Sequence, residues 1–129
     1  MSKINLKDLK ERISNANVYN LAKRTPCQLE DLQDVFSFKI RGAANRMSNL
    51  SDTEKLKGVC AASAGNHAQG MASAAKYYQT KAVIFMPITT PKIKINAVHA
   101  AGAETRLIGE NYDESCKAAL KYSQETGAI

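Results

Sequence analysis

Residues 81–86 read Lys-Ala-Val-Ile-Phe-Met, an apolar run bounded by a lysine and by Pro87. A strand with no polar alternation must be covered on both faces, as happens inside a parallel sheet flanked by helices. The surrounding segments fit such a sheet. Gly58–Ala62 is a second short, apolar, partly β-branched strand, and Glu104–Ile108 a third. Between and after them lie three helical stretches: Asn66–Tyr78, rich in small residues; Pro91–Ala101, which opens on a proline and is closed by Gly102; and Tyr112–Thr126, which stops at Gly127. Strand and helix in alternation predict an α/β fold, an open parallel sheet with crossover helices. Ile129 is apolar and stands where a further strand could begin.

The segment before this rhythm is less regular. Ile4, Leu6, Leu9, Ile13, Val18 and Leu21 recur at roughly helical spacing, and Asn15 and Asn17 predict a break between two short helices. Thr25-Pro26 ends the region, since a residue before proline is pushed out of the helical basin. Cys27–Phe36 reads as irregular. A helix is expected from Phe38 to Leu50, and Ser51 with Glu54 has the spacing of a capping box that starts another short helix. The expected division is an N-terminal helical segment, 1–36, and an α/β unit, 37–129.

Charge and cysteines narrow the class. The net charge is +6, but the basic residues are mixed with acids, no basic run interleaves with aromatics, and Trp is absent. Specific nucleic-acid binding is therefore not expected. Cys27, Cys60 and Cys116 are odd in number and widely separated, which argues against a disulfide framework or a zinc site. With only His67 and His99 besides, no metal centre is expected. The first residues lack the apolar core of a signal peptide, and no run approaches membrane-spanning length. The expectation is a cytoplasmic protein that does not bind membranes.

Ligands of open parallel sheets sit at the carboxyl ends of the strands. Ser63-Ala64-Gly65-Asn66-His67 follows the Gly58–Ala62 strand, so position makes it the first candidate. Gly65 permits close approach of a ligand to the backbone. The amides of Gly65, Asn66 and His67 would point outward from a helix N-terminus, a site for a carboxylate or phosphate. An ordinary turn with Asn66 as N-cap explains the same residues equally well. A nucleotide phosphate loop does not, because Met71 stands where its lysine is required. The second candidate is Ser37-Phe38-Lys39-Ile40-Arg41-Gly42-Ala43. Lys39 lies at a loop-to-helix boundary among Val35, Phe36, Phe38 and Ile40, an environment expected to desolvate the ammonium and favour the nucleophilic amine. The plainer alternative is a lysine that snorkels to water.

The two segments occur together and in this order, and as a pair the chain resembles the threonine dehydratase branch of the fold-type-II pyridoxal-phosphate enzymes, the tryptophan-synthase-β-like family. Glu30-Asp31-Leu32-Gln33, Met86-Pro87 with Thr89-Thr90-Pro91, Lys94 with Ala97-Val98, and Gly102-Ala103-Glu104 carry the likeness further. The resemblance implies pyridoxal 5'-phosphate as cofactor and β-elimination of the hydroxyl from threonine or serine, the released product hydrolysing to 2-oxobutanoate or pyruvate and ammonia. It implies that Lys39 binds the cofactor as a Schiff base and then moves the α-proton. Phe38 would pack near the cofactor ring and Asn66 bond its phenolic oxygen. Ser63, Gly65, Asn66 and His67 would enclose the substrate carboxylate. It further implies a homo-oligomeric parent enzyme. Ala64 stands where similar serine racemases carry a second serine, so racemisation is not expected.

The chain also departs from that family. Thr25-Pro26 is followed almost at once by Glu30, where the family has a helical stretch and a strand; their lack is expected to leave an unfilled slot and exposed apolar surface. The seven glycines, at 42, 58, 65, 70, 102, 109 and 127, form no run that would hold the cofactor phosphate. The expectation is thus a poorly active N-terminal fragment of the enzyme with an internal deletion. A non-catalytic α/β module that binds a small carboxylate at Ser63–His67 is the alternative, and a nucleotide-binding domain lacks its glycine-rich loop.

Overall fold

A computed structural model describes residues 6–25 and 27–129. The first helix, α1 (Leu6–Ser14), is followed by turns rather than by a second helix: only Ala22 N–H to Val18 C=O, 2.9 Å, closes a helical turn. Five residues between the asparagine break and Lys23 are too few to propagate one. Cys27–Leu32, read above as irregular, forms a 3₁₀ helix. Its i→i+3 pitch repeats too briefly to leave an apolar period in the sequence. Pro26 and Ile4 lie outside the described residues.

The remaining elements are α2 (Lys39–Ser48), α3 (Asp52–Lys57), β1 (Val59–Ala62), α4 (Asn66–Tyr77), β2 (Ala82–Met86), α5 (Lys92–Ala100), β3 (Glu104–Leu107) and α6 (Tyr112–Thr126). Local chemistry sets several of their ends. Ser51 Oγ accepts from Glu54 N–H, and the Glu54 carboxylate accepts from Ser51 N–H at 2.8 Å, the capping box expected for α3. Pro91 stands just before α5, as its N-cap. Asn111 Oδ1 caps α6 by accepting from Glu114 N–H at 3.0 Å, and Gly127 ends it with a left-handed φ of 74°.

The sheet is parallel with order β1-β2-β3; Val59 is level with Ala82 and Val83 with Glu104. All five residues of β2 are buried. Their sides alternate: Ala82, Ile84 and Met86 pack with α2, α4 and α5, whereas Val83 and Phe85 pack with Ala119 and Tyr122 of α6. Each of the larger side chains contributes about 1.5–3 kcal/mol by leaving water.

After α6 the chain returns to the open edge of β1. Ile129 N–H donates to Gly58 C=O (3.0 Å) and Ile129 C=O accepts from Cys60 N–H (2.8 Å). This is the bond pair of a parallel ladder, so Ile129 takes the first position of a strand beside β1. Two helices cover one face on the way out to β3 and α6 covers the other on the way back. The winding therefore reverses at β1, and a crevice opens beyond the carboxyl end of the strand at such a reversal.

Candidate functional site

The loop at this reversal is Ser63-Ala64-Gly65. Ser63 N–H donates to Phe85 C=O at 3.0 Å, carrying the β1–β2 ladder one step past the strand, and Ser63 Oγ accepts from Gly65 N–H at 3.4 Å. Gly65, not Asn66, is the N-cap of α4, with extended backbone (φ −133°, ψ −153°), so the Asn66 cap does not form. Asn66 and His67 become the first two residues of the helix, with exposed side chains. Among the described residues their N–H groups have no acceptor, as the first turn of a helix dictates. A Cβ placed on Gly65 would meet no atom within 4 Å, so the space beside Gly65 itself is open. The arrangement suits a carboxylate at the positive end of the helix dipole.

Lys39 lies at the start of the helix that packs on α4. A Cβ on Gly70 would lie 3.1 Å from Ile40 N, 3.1 Å from Lys39 C and 3.3 Å from Ile40 Cα, so only glycine allows α4 to cross the first turn of α2 this closely. Asn66 lies four residues before Gly70, one turn along the same face of α4. The contact thus packs the backbone of Lys39 and Ile40 on α4 at Gly70, one turn after Asn66. Ala43, Met47, Ala68, Met71 and Ala72 fill the rest of the junction. His67 lines a groove of about 320 Å³ with Arg46, Met71, Ala61 and Ile129.

The expected desolvation of Lys39 is corrected by the structure. Lys39 is exposed, and so are Phe36 (76%) and Phe38 (56%). Phe36 and Phe38 point outward, because Val35, Ser37 and Ile40 take the buried positions of the turn. The ammonium lies 4.6 Å from the centroid of the Phe38 ring, and among the described residues it makes no hydrogen bond or ion pair. Leu32 is also half exposed, and a groove of about 1200 Å³ opens between α1 and α2.

Behind Lys39 lies a polar knot that residue types alone do not announce. Arg41 is held by the Glu30 carboxylate, Nη2 to Oε1 at 2.8 Å and Nε to Oε2 at 3.1 Å. Hydrogen bonding to Arg41 first, and to Thr25 less strongly, holds the Glu30 carboxyl below its usual range, and the same bond raises Arg41. Gln33, 1% exposed, donates from Nε2 to Lys23 C=O and Thr25 Oγ1 and accepts at Oε1 from Lys23 N–H, all at 2.9 Å. Glu30 and Gln33 were visible only as part of a matching stretch.

A winding reversal in a parallel sheet, a helix terminus with free N–H groups and an exposed lysine on the helix packed against it place the chain among open α/β proteins with a crevice where the sheet reverses. Comparison with known proteins gives this class its family. The profile of the family "Pyridoxal-phosphate dependent enzyme" matches residues 17–129, and the chain belongs to that family. It is 44% identical over 143 positions to the biosynthetic L-threonine dehydratase of Staphylococcus epidermidis, covering 96% of the chain and 33% of that protein. The aligned span exceeds the 129 residues of the chain, so the relative carries residues with no counterpart here. Threonine dehydratase 2 (biosynthetic, chloroplastic) of Solanum lycopersicum is 55% identical over 98 positions, 76% of the chain and 16% of that protein. The solved structure of the processed form of threonine deaminase isoform 2 from Solanum lycopersicum superposes with a TM-score of 0.88 at 41% identity, over 97% of the chain and 42% of that structure. The chain spans about a third or less of the length of the curated relatives it matches. No helix among the described residues is long and apolar enough to cross a membrane.

Proposed function

We propose that this chain is the lysine-bearing part of a threonine dehydratase, and that alone it is poorly active. The observation that supports the reading is the Gly70 contact, which packs the start of α2, where Lys39 lies, on the helix that opens with Asn66 and His67, in a chain similar to enzymes of that name. The residues fit one side of pyridoxal phosphate: an exposed amine at Lys39 that makes no hydrogen bond or ion pair among the described residues, a neutral donor at Asn66 and open space beside Gly65. They offer the phosphate dianion no glycine run, so affinity is weak and the anchor belongs to residues outside these 129.

In the complete site Lys39 holds the cofactor and afterwards takes the proton from the substrate α-carbon. The N–H groups of Asn66 and His67, with Ser63 Oγ, bind and orient the α-carboxylate. The Asn66 side chain would bond the phenolic oxygen of the cofactor ring, and Phe38 would pack near the ring. When bound, the cofactor supplies an electron sink for the pair left at the α-carbon. Loss of the β-hydroxyl as water and hydrolysis of the released product convert threonine to 2-oxobutanoate and ammonia, and serine to pyruvate. Ala64 has no proton to deliver from the opposite face, which disfavours racemisation. The parent enzyme is a homo-oligomer by the same reading.

The test is reductive trapping. The chain is incubated with pyridoxal 5'-phosphate and borohydride, and its modified lysines are mapped by mass spectrometry, with Lys39→Ala as control. Preferential labelling at Lys39 is expected, with little 2-oxobutanoate formed from threonine. Labelling that does not favour Lys39 overturns the assignment, and brisk turnover by the chain alone overturns its incompleteness. The free Asn66 and His67 amides also favour a second reading, a carboxylate-binding module without catalysis. Amide shifts confined to 63–67 on titrating threonine, in a chain that shows no preference at Lys39, would select it.

A further inference from the structure

The turn that delivers Lys39 is strained. Phe36 has φ 51°, a left-handed conformation that a bulky residue adopts only when its surroundings impose it, and its side chain is 76% exposed, so burial does not hold it there. The backbone bond that closes the turn runs from Phe36 N–H to Gln33 C=O at 2.8 Å. Both flanks are pinned to one short segment. On one side Gln33 engages Lys23 and Thr25 through three bonds. On the other side Arg41, two residues after Lys39, bonds Lys23 C=O (3.2 Å), Thr25 Oγ1 (3.0 Å) and Glu30. The Thr25 hydroxyl donates to Glu30 Oε1 (3.1 Å) and accepts from both Gln33 and Arg41, which uses all of its capacity.

We propose that Gln33 and Arg41 are positioning residues for Lys39: they clamp the left-handed Phe36 turn against Thr25, and the turn fixes the direction in which Lys39 leaves the start of α2. The proposal rests on the reading of Lys39 as the cofactor-binding amine. Neither clamp residue reaches the reacting atoms. The clamp acts through backbone geometry, and a polar knot resists small displacements because bonds at fixed angles replace slippery apolar contact. Arg41 is suited to this by its planar fork, which a lysine ammonium cannot reproduce.

The experiment uses the 129-residue chain and pyridoxal 5'-phosphate with borohydride, reading the ratio of adduct at Lys39 to adduct at the exposed Lys92 and Lys117. Native chain is expected to favour Lys39. Arg41→Lys and Gln33→Leu are expected to lower that ratio by about tenfold, because a misplacement of roughly 1 Å costs a reacting group up to ~100-fold. Asparagine tolerates the left-handed region, so adding Phe36→Asn to Arg41→Lys is expected to restore much of the preference. A native chain with no preference for Lys39 defeats the functional reading itself. A native preference that survives both clamp variants overturns this proposal and leaves that reading standing. Failure of Phe36→Asn to rescue, or a fall in the ratio that always accompanies lost far-UV ellipticity, assigns the knot to folding alone and also overturns it.

Discussion

Gly70 and Gly42 both lie in helices, yet alanine at the two positions is expected to change stability in opposite directions. Each substitution gains about 1 kcal/mol from helix propensity. At Gly42 the new methyl meets nothing within 4 Å, so Gly42→Ala stabilises by roughly 0.5–1 kcal/mol. At Gly70 the methyl would sit 3.1 Å from backbone atoms of Lys39 and Ile40. Carbon contacts settle near 3.5–4.0 Å, so α4 and α2 must part by about half an ångström. Overpacking of this kind costs about 1–3 kcal/mol, leaving Gly70→Ala destabilised by roughly 0–2 kcal/mol after the helical gain. The propensity gain is common to both, so the difference between the variants isolates the clash. Urea unfolding of the two alanine variants measures that difference, and a thermal midpoint moves by ~4 °C per kcal/mol for a chain of this size. The same half-ångström should lower reductive trapping at Lys39 in Gly70→Ala and leave it unchanged in Gly42→Ala. Equal stabilisation of both variants would refute the close crossing, and with it the argument that Gly70 lets the start of α2 pack on α4.

Ser51→Ala removes the cap of a helix that has no buried residue and is expected to cost about 0.5–2 kcal/mol in urea unfolding, with Ser51→Asp largely neutral. The carboxyls of Glu30, Glu54 and Glu104 are each held below their usual range, by hydrogen bonds from Arg41, from Ser51 N–H and from Lys81 respectively. A group depressed on folding stabilises the native state above its unfolded value and loses that contribution as pH falls through its folded value, so the urea midpoint is expected to drop on acidification below the ordinary glutamate range. Glu30→Gln should flatten that dependence while lowering the midpoint at neutral pH, and an unchanged slope would argue against the Glu30–Arg41 pair.

The parts of the fold that were legible are those whose cause is local. The Lys81–Met86 run had to be buried on both faces, and β2 is; Tyr112–Thr126 is bracketed by a capping asparagine and a left-handed glycine, and α6 has those limits. The turn at Val18–Ala22 shows where periodicity misleads: Val18 and Leu21 have helical spacing, but Leu21, with Ala22, is spent on docking against Ile40. For Lys39 the apolar residues around it in sequence were read as a desolvating shell. Neighbours along the chain point to alternate sides of a turn, however, so they do not surround one another.

The site divides along the same line. Two motifs placed Lys39 and Asn66 in one constellation because each has a recognisable pattern of its own, but neither pattern says how a residue at 39 and one at 66 come together. The close crossing of α4 on the first turn of α2 depends on a missing side chain at Gly70, and a missing side chain has no signature apart from its partner. Gln33 is similar. A glutamine between Leu32 and Asp34 in a short polar stretch reads as surface, and only its pairing with the backbone of Lys23 across ten residues makes it one of the most buried side chains in the protein. Chemistry was therefore legible where a residue type is intrinsically reactive or conformationally special. It was hidden where an ordinary residue becomes special by what it touches, which is the case for both Gly70 and Gln33.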